Sequence, residues 1–240
     1  MTKAVVIIPT YNEAENIEAI VTAVFALPTP FHILVVDDNS PDGTAKIVTQ
    51  LQATFPEQLF LEVRNEKSGL GTAYIHGFKW GLKNEYTYIF EMDADFSHNP
   101  KDLERLYHAC HHEGADLAIG SRYIKGVNVV NWPMGRVILS YLASLYVRLI
   151  TGMKIHDTTA GFVCYHRKVL ETINLDEIKF IGYAFQIEMK FKAYLEKFKI
   201  VEIPIIFTDR VHGESKLSKS IISEAVFGVI KMKYRSLIKS

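Results

Sequence analysis

The sequence predicts an α/β domain with a mainly parallel central sheet and helices on both faces. Short runs of apolar and β-branched residues alternate with longer stretches whose apolar positions recur at helical spacing. The short runs end in polar, turn-forming clusters. A length of 240 residues is enough for one sizeable domain of this class.

Residues 4–8 read as a buried strand, and Tyr11-Asn-Glu13 opens a helix carried by Ile17, Ile20, Val21 and Val24. The unit repeats with strands at 33–36, 59–63 and 86–90, followed by helices from about Gly43, Leu70 and Asp102. After a strand at 115–119 the regularity breaks. Residues 121–133 form a Gly/Asn/Pro-containing loop, a natural substrate wall, and 136–150 an apolar helix. Two more strands, 161–165 and 199–207, are separated by helical patterns near Lys168 and over 183–198. Past a polar loop at 209–216 the chain turns amphipathic, with Ile221, Ile222, Ala225, Val226, Val229 and Ile230 on one side and Lys231, Lys233, Arg235 and Lys239 near the end. The expected division is therefore one domain over 1–217 and a C-terminal amphipathic helix over 218–240, packed on the domain or on a membrane surface.

Basic and acidic residues balance at 27 each, so no global field favours nucleic acid. Cys110 and Cys164 form neither a disulfide framework nor a zinc signature, which fits a reducing cytosol. The apolar run at 4–8 is too short for a signal-peptide core. No stretch reaches the ~18 uninterrupted apolar residues of a spanning helix, and 137–150 and 221–238 come nearest. A soluble or peripheral protein is expected.

In open α/β sheets ligands bind beyond the carboxyl ends of the strands, so the polar residues placed there are the candidates. Asp93 and Asp95, two apart in the segment Glu91-Met-Asp-Ala-Asp-Phe-Ser-His98, suit one hard cation that leaves positions for phosphate oxygens and water. An isolated Asp-x-Asp more often caps a helix, but its place after a strand in polar company favours the metal. Asp37 and Asp38 end the second strand, where one carboxylate accepts hydrogen bonds from the edge of a base and its neighbours serve the turn, with Asp42 as a helix cap. Gly69-Leu-Gly71 lacks the remaining residues of a P-loop or a dinucleotide fingerprint and reads as a tight helix entry, with Arg64 or Lys67 nearby for the donor. Arg122, Arg136, Arg210 and Lys216 lie in or beside the two irregular loops, where cations are aimed at phosphates. His108, His111 and His112 share a helix without a further ligand pattern, so zinc is not expected there.

Across nearly the whole chain these segments resemble the inverting family-two glycosyltransferases of the GT-A fold, and among them the polyprenyl (dolichyl) phosphate mannosyltransferases. The likeness rests on Ile8-Pro-Thr-Tyr-Asn-Glu13, Val36-Asp-Asp-Asn-Ser-Pro-Asp-Gly-Thr44, Gly69-Leu-Gly-Thr-Ala-Tyr74, Met92-Asp-Ala-Asp-Phe-Ser-His98 and Gly120-Ser-Arg-Tyr123. Narrower signals are Asn131-Trp-Pro with Arg136, Thr159-Ala-Gly-Phe-Val-Cys-Tyr165, Gly182-Tyr-Ala-Phe-Gln-Ile-Glu-Met189, Glu202-Ile-Pro-Ile205 and Asp209-Arg-Val-His-Gly-Glu-Ser-Lys216.

The resemblance implies a single Rossmann-like GT-A domain that transfers mannose from GDP-mannose to a polyprenyl phosphate with inversion, using Mg²⁺ or Mn²⁺. It implies that Pro9, Tyr11, Glu13 and one of Asp37 or Asp38, with Asp38 favoured, bind the guanosine. It further implies that Asp93, Ala94 and Asp95 hold ribose, metal and diphosphate, that Arg122, Arg210 and Lys216 contact donor and acceptor phosphates, and that Arg136 helps receive the lipid phosphate. Ser97 stands where relatives have Gln. A phosphate acceptor is already anionic, so converging cations replace the carboxylate base that a hydroxyl acceptor needs. The lipid tail is expected along 137–150 and the C-terminal helix, with the protein peripheral on the cytoplasmic face of a membrane. The alternatives are a family-two transferase using UDP-glucose or UDP-N-acetylglucosamine, or a hydroxyl acceptor, and, from another class, a non-catalytic nucleotide-sugar or lipid-binding subunit. The latter would be expected to have lost the acidic pair.

Overall fold

A computed structural model describes residues 3–182, 184–209 and 219–239. The first half is a run of βα units: β1 (Ala4–Thr10), α1 (Ile17–Phe25), β2 (His32–Asp37), α2 (Thr44–Leu51), β3 (Leu59–Val63), α3 (Leu70–Lys83), β4 (Tyr88–Glu91), α4 (Asp102–His111) and β5 (Leu117–Ser121). The second half is less regular: β6 (Val129–Val130), α5 (Met134–Thr151), β7 (Val163–His166), α6 (Arg167–Thr172), a 3-10 turn (Leu175–Glu177), α7 (Ala184–Leu195), β8 (Ile200–Pro204), β9 (Phe207–Thr208) and α8 (Lys219–Lys239).

Seven strands form one sheet in the order β3-β2-β1-β4-β7-β5-β8. All neighbours are parallel except β7, which runs against both β4 and β5. The expected α/β layering is the observed one. Side chains alternate across β1, with Ala4, Val6 and Ile8 meeting α1, α2 and α4, and Val5 and Ile7 meeting the layer of α3, α6 and α7. Gly77 lets α3 lie close to the sheet, since a Cβ there would fall 2.7 Å from Ile7 Cγ2.

The strand order reverses at β1, where β2 and β3 lie on one side and β4 on the other. The crevice beyond the carboxyl ends of β1 and β4 is the switch point at which open α/β sheets bind ligands. Because β7 is antiparallel, the residues entering it, 157–162, also lie at this edge.

Several expectations are corrected. Tyr11-Asn-Glu13 does not open α1: Asn12 is left-handed (φ 60°), and Glu13 O instead accepts from Asn16 N and Ile17 N, which delays the helix to Ile17. The strand expected over 199–207 is broken after Pro204, and Phe207–Thr208 leaves the main sheet to pair with β6. The apolar helix, longer than expected, becomes an 18-residue α5 that is long and apolar enough by length and composition to cross a membrane, although Ser144, Val147 and Thr151 are buried against the domain. The last helix packs on α5 and α7, with Val229 in the core, Gly228 against the ring of Phe180, and Val226 O accepting from Tyr146 Oη at 2.9 Å.

Candidate functional site

At the carboxyl edge of the sheet, the turns after β1 and β2 brace one another. Asp37 is fully buried, and its carboxylate accepts from Thr10 Oγ1 (2.7 Å), Ser40 N (2.9 Å) and Ser40 Oγ (2.6 Å). Its carboxylate is therefore taken up by the turn, which favours Asp38 as the one of the pair to meet a base. Asp42, as expected, serves α2, accepting from Thr44 N at 3.0 Å and also from Ala14 N at 2.9 Å. Asp38, one residue on, faces the other way and takes Arg64 Nε at 2.6 Å, while Arg64 also donates to Thr72 Oγ1 at the start of α3. Burial pushes the Asp38 carboxyl up and Arg64 pulls it back. Pro9, Tyr11 and Glu13 are half-buried along the same edge, and the Lys67 ammonium lies 4.0 Å from the centre of the Tyr11 ring. Gly69 and Gly71 make the tight entry expected of them: Gly71 N donates to Ile181 O at 2.8 Å, an approach a side chain would obstruct.

Asp93 and Asp95 follow β4 and line a cavity of about 400 Å³. The helix-cap reading of Asp95 fails, because its Oδ1 accepts from Ser97 N (3.1 Å) in a local turn while Asn99 receives Lys101 N just before α4. Ala94 belongs to the core, so contacts expected of it are limited to its main chain. His98 is buried and stacked 4.8 Å from Phe162, and its Nδ1 accepts from Asp93 N at 3.3 Å. Burial and the Arg122 charge pull its pKa down to about 4 against Asp95 and Asp157, leaving a neutral ring. Ser97 lines the same cavity with a buried hydroxyl that has no partner among the described residues.

These groups fit a hard divalent cation. Two carboxylates and an orphaned hydroxyl are oxygen donors, and among the described residues no third acid, imidazole or thiol completes an all-protein cage. The remaining positions are left to phosphate oxygens and water, as Mg²⁺ and Mn²⁺ sites require.

Across the cavity, Arg122 is clamped by Asp157. Its Nε and NH2 donate to the carboxylate at 2.7 and 2.6 Å, its backbone N–H at 2.9 Å, and NH2 also reaches Thr159 Oγ1 at 2.8 Å. The Asp157 carboxyl is held below the usual range by Arg122, in spite of complete burial. Glu202 closes the chain, accepting from His156 N (2.8 Å) and Asp157 N (2.9 Å). Arg136, on the first turn of α5, pairs with Asp209 at 2.8 Å. Arg210 and Lys216 lie outside the described residues.

Beneath the site, Gln186 Nε2 donates to Glu91 Oε2 (2.5 Å) and Gln186 Oε1 accepts from Lys190 Nζ (3.1 Å), which also donates to Ala160 O (2.6 Å). The amide relays between two buried groups of opposite charge. Sequence reasoning assigned no role to Asp157, Gln186, Lys190, Glu91, His98 or Trp132. Most stand in or beside the motif segments, which was the available signal, but Asp157 meets Arg122 across 35 residues and Gln186 meets Glu91 across 95.

The cavity has two characters. Asp93, Asp95, His98, Arg122, Arg136 and Asp209 form its polar end, and Leu139, Leu142, Ala143, Val147, Ile187, Val226 and Val229 an apolar wall from α5, α7 and α8.

The profile of Glycosyl transferase family 2 matches residues 5–173. The chain is 49% identical over 227 residues to polyprenol monophosphomannose synthase of Mycolicibacterium smegmatis, covering 95% of this chain and 85% of that protein. It is 43% identical over 229 residues to undecaprenyl-phosphate mannosyltransferase of Micrococcus luteus, covering 95% and 93%. Among solved structures, glucosyl-3-phosphoglycerate synthase from Mycobacterium tuberculosis in complex with Mn²⁺, UDP-glucose and phosphoglyceric acid matches with a TM-score of 0.67. That match covers 97% of this chain and 78% of that one at 16% identity, a likeness of fold.

Proposed function

The chain belongs to glycosyl transferase family 2, and we propose that it transfers mannose from GDP-mannose to a polyprenyl phosphate at a membrane surface. The observation that supports this reading is the two-ended cavity, with acids and arginines at one end and an apolar wall at the other. A lipid monophosphate has that polarity.

Asp38 offers a carboxylate to the paired N–H donors of a guanine edge, with Arg64 holding it in place. Asp93 and Asp95, with Ser97, would hold Mg²⁺ or Mn²⁺, which when bound supplies charge that stabilises the departing diphosphate. The acceptor phosphate oxygen forms the new bond to the anomeric carbon as the bond to the GDP oxygen breaks on the opposite face, inverting the centre. A phosphate monoester carries between one and two negative charges near pH 7, so no base has to remove a proton. Arg122 and Arg136 offer guanidinium N–H donors to the acceptor phosphate. Arg210 and Lys216 are proposed to join them.

The test offers radiolabelled GDP-mannose, GDP-glucose, UDP-glucose and UDP-N-acetylglucosamine with polyprenyl phosphate, with and without divalent metal. Metal-dependent mannolipid from GDP-mannose is the expected result. Label transferred only from a uridine donor, or to free hydroxyl acceptors, would replace the assignment.

Membrane contact has its own support. On α5, Met134, Ile138, Leu142 and Leu149 are exposed, Leu149 at 76%, and on α8 Phe227, Tyr234, Leu237 and Ile238 are exposed, Phe227 at 73%. Such paired apolar faces suit insertion at the headgroup boundary. Liposome flotation is expected to weaken by an order of magnitude in a Leu149→Glu/Phe227→Glu variant, with turnover of a short water-soluble acceptor retained. Undiminished flotation would remove these faces from the reading.

A further inference from the structure

Among the described residues, Ser97 Oγ and Trp132 Nε1 are the buried groups of the cavity lining that lack a hydrogen-bond partner. They differ in kind. A hydroxyl donates or accepts, whereas an indole N–H only donates. A buried donor left unpaired is destabilising, so Trp132, a residue of the cavity wall, calls for an acceptor atom beyond the described residues.

The neighbours of Trp132 specify that acceptor. The Arg136 guanidinium lies 4.0 Å and that of Arg122 5.5 Å from the centre of its ring, and Phe207 meets it edge-on at 5.2 Å. The indole thus stands beside both arginines. Each arginine is already paired, Arg122 with Asp157 and Arg136 with Asp209, so these four side chains carry no net charge between them. An anion arriving here gains from donor geometry more than from excess positive charge, which raises the worth of a neutral N–H. The backbone holds the ring in position. Asn131 is left-handed (φ 64°), Pro133 has a fixed φ of −58°, and Pro133 O accepts from Arg136 N at 2.9 Å, so Trp132 and Arg136 move as one turn.

We propose that the Trp132 indole N–H donates a hydrogen bond to a phosphate oxygen of the acceptor lipid, as a binding and positioning group beside Arg136. This rests on the reading of the acceptor as a polyprenyl phosphate. It accounts for a buried donor that has no partner among the described residues.

The chain's two tryptophans make a direct test available. Trp80 packs against Phe60 and Tyr86 on α3, away from the cavity. In a Trp80→Phe background the indole emission reports Trp132 alone. Titration with citronellyl phosphate, a short water-soluble prenyl phosphate, is expected to give a saturable change, with inorganic phosphate acting only at concentrations at least ~10-fold higher and citronellol giving none. In the full chain, Trp132→Phe, and Trp132 replaced by its benzothienyl isostere, which lacks only the N–H, are expected to raise the acceptor KM about 10-fold or more. The donor KM, kcat at saturating acceptor and melting temperature stay near their starting values. An unchanged acceptor KM in the isostere overturns the proposal while leaving mannosyl transfer intact, and so separates its failure from that of the function. Equal emission responses to GDP and citronellyl phosphate would overturn the assignment to the acceptor. Loss of all transfer to polyprenyl phosphates in the unaltered enzyme would defeat both.

Discussion

Asp95→Asn is expected to lower mannosyl transfer by about a thousand-fold or more while leaving the melting temperature within a few degrees. The substitution is chosen for what it preserves. Asp95 Oδ1 accepts from Ser97 N at 3.1 Å, and the asparagine oxygen has the same reach, so the turn after β4 stays closed. What is lost is the charge of one of the two carboxylates, Asp93 and Asp95, that follow β4. In the proposed reading that charge holds the divalent cation against the diphosphate, and removing one electrostatic partner of a developing charge costs on the order of 10²–10³ in rate. Loss of the metal itself adds to this. Two measurements bear on it: the concentration of Mg²⁺ or Mn²⁺ giving half-maximal activity, expected to rise by at least an order of magnitude, and restoration of the unaltered enzyme by metal after chelation. A variant that keeps a tenth of its activity at ordinary metal concentrations would sink the role given to Asp95. Asp93→Asn is a less clean probe, because Asp93 also has the Tyr74 hydroxyl at 3.5 Å and its backbone N–H is tied to His98.

The contrast between these two acids shows what could be read from residues in order and what could not. Their place after a strand, in company with the polar ends of β1, β2 and β5, was legible because strand ends in an alternating α/β chain converge on one edge. The parallel half of the sheet was legible for the same reason. The direction of β7 was not, since a short apolar strand carries no mark of its polarity and only pairing decides it. That direction brings 157–162 to the site and lets Asp157 meet Arg122 across 35 residues. Arg122 was therefore found as a cation, but its neutralising clamp was not. Asp37 and Asp38 are indistinguishable as adjacent acids in the sequence, and only their hydrogen-bond partners tell them apart, Asp37 being taken up by Thr10 and Ser40 and Asp38 by Arg64. The small β6–β9 sheet escaped notice because two-residue strands leave no periodic signal.

Lys190 is the least legible residue of all, and its removal is expected to have the largest effect on stability. On α7 every residue from Ala184 to Phe191 is buried, so a lysine that composition would assign to a solvated face instead has no exposure. Burial pushes the Glu91 carboxyl up and the Lys190 ammonium down, and each opposes the shift of the other through Gln186. Lys190→Met keeps the stem's volume but strips donors from Ala160 O, Gln186 O and Gln186 Oε1 and leaves Glu91 without its counter-charge. Breaking one side of a buried pair costs about 3–5 kcal/mol. In a protein of this size that is a fall on the order of 10 °C in melting temperature. Calorimetry of the single variant against Glu91→Gln/Lys190→Met separates lost charge balance from lost packing. The double variant is expected to regain stability, because the uncompensated carboxyl is gone. A single variant that loses less than ~1 kcal/mol would mean that the ammonium does not hold the interior. The consequence reaches the site, because Ala160 immediately follows Thr159, which receives Arg122 at 2.8 Å. Freeing Ala160 O loosens the segment that aims this arginine, so turnover at temperatures where the variant remains folded is expected to fall more than donor affinity, which in the proposed reading depends on the opposite end of the crevice.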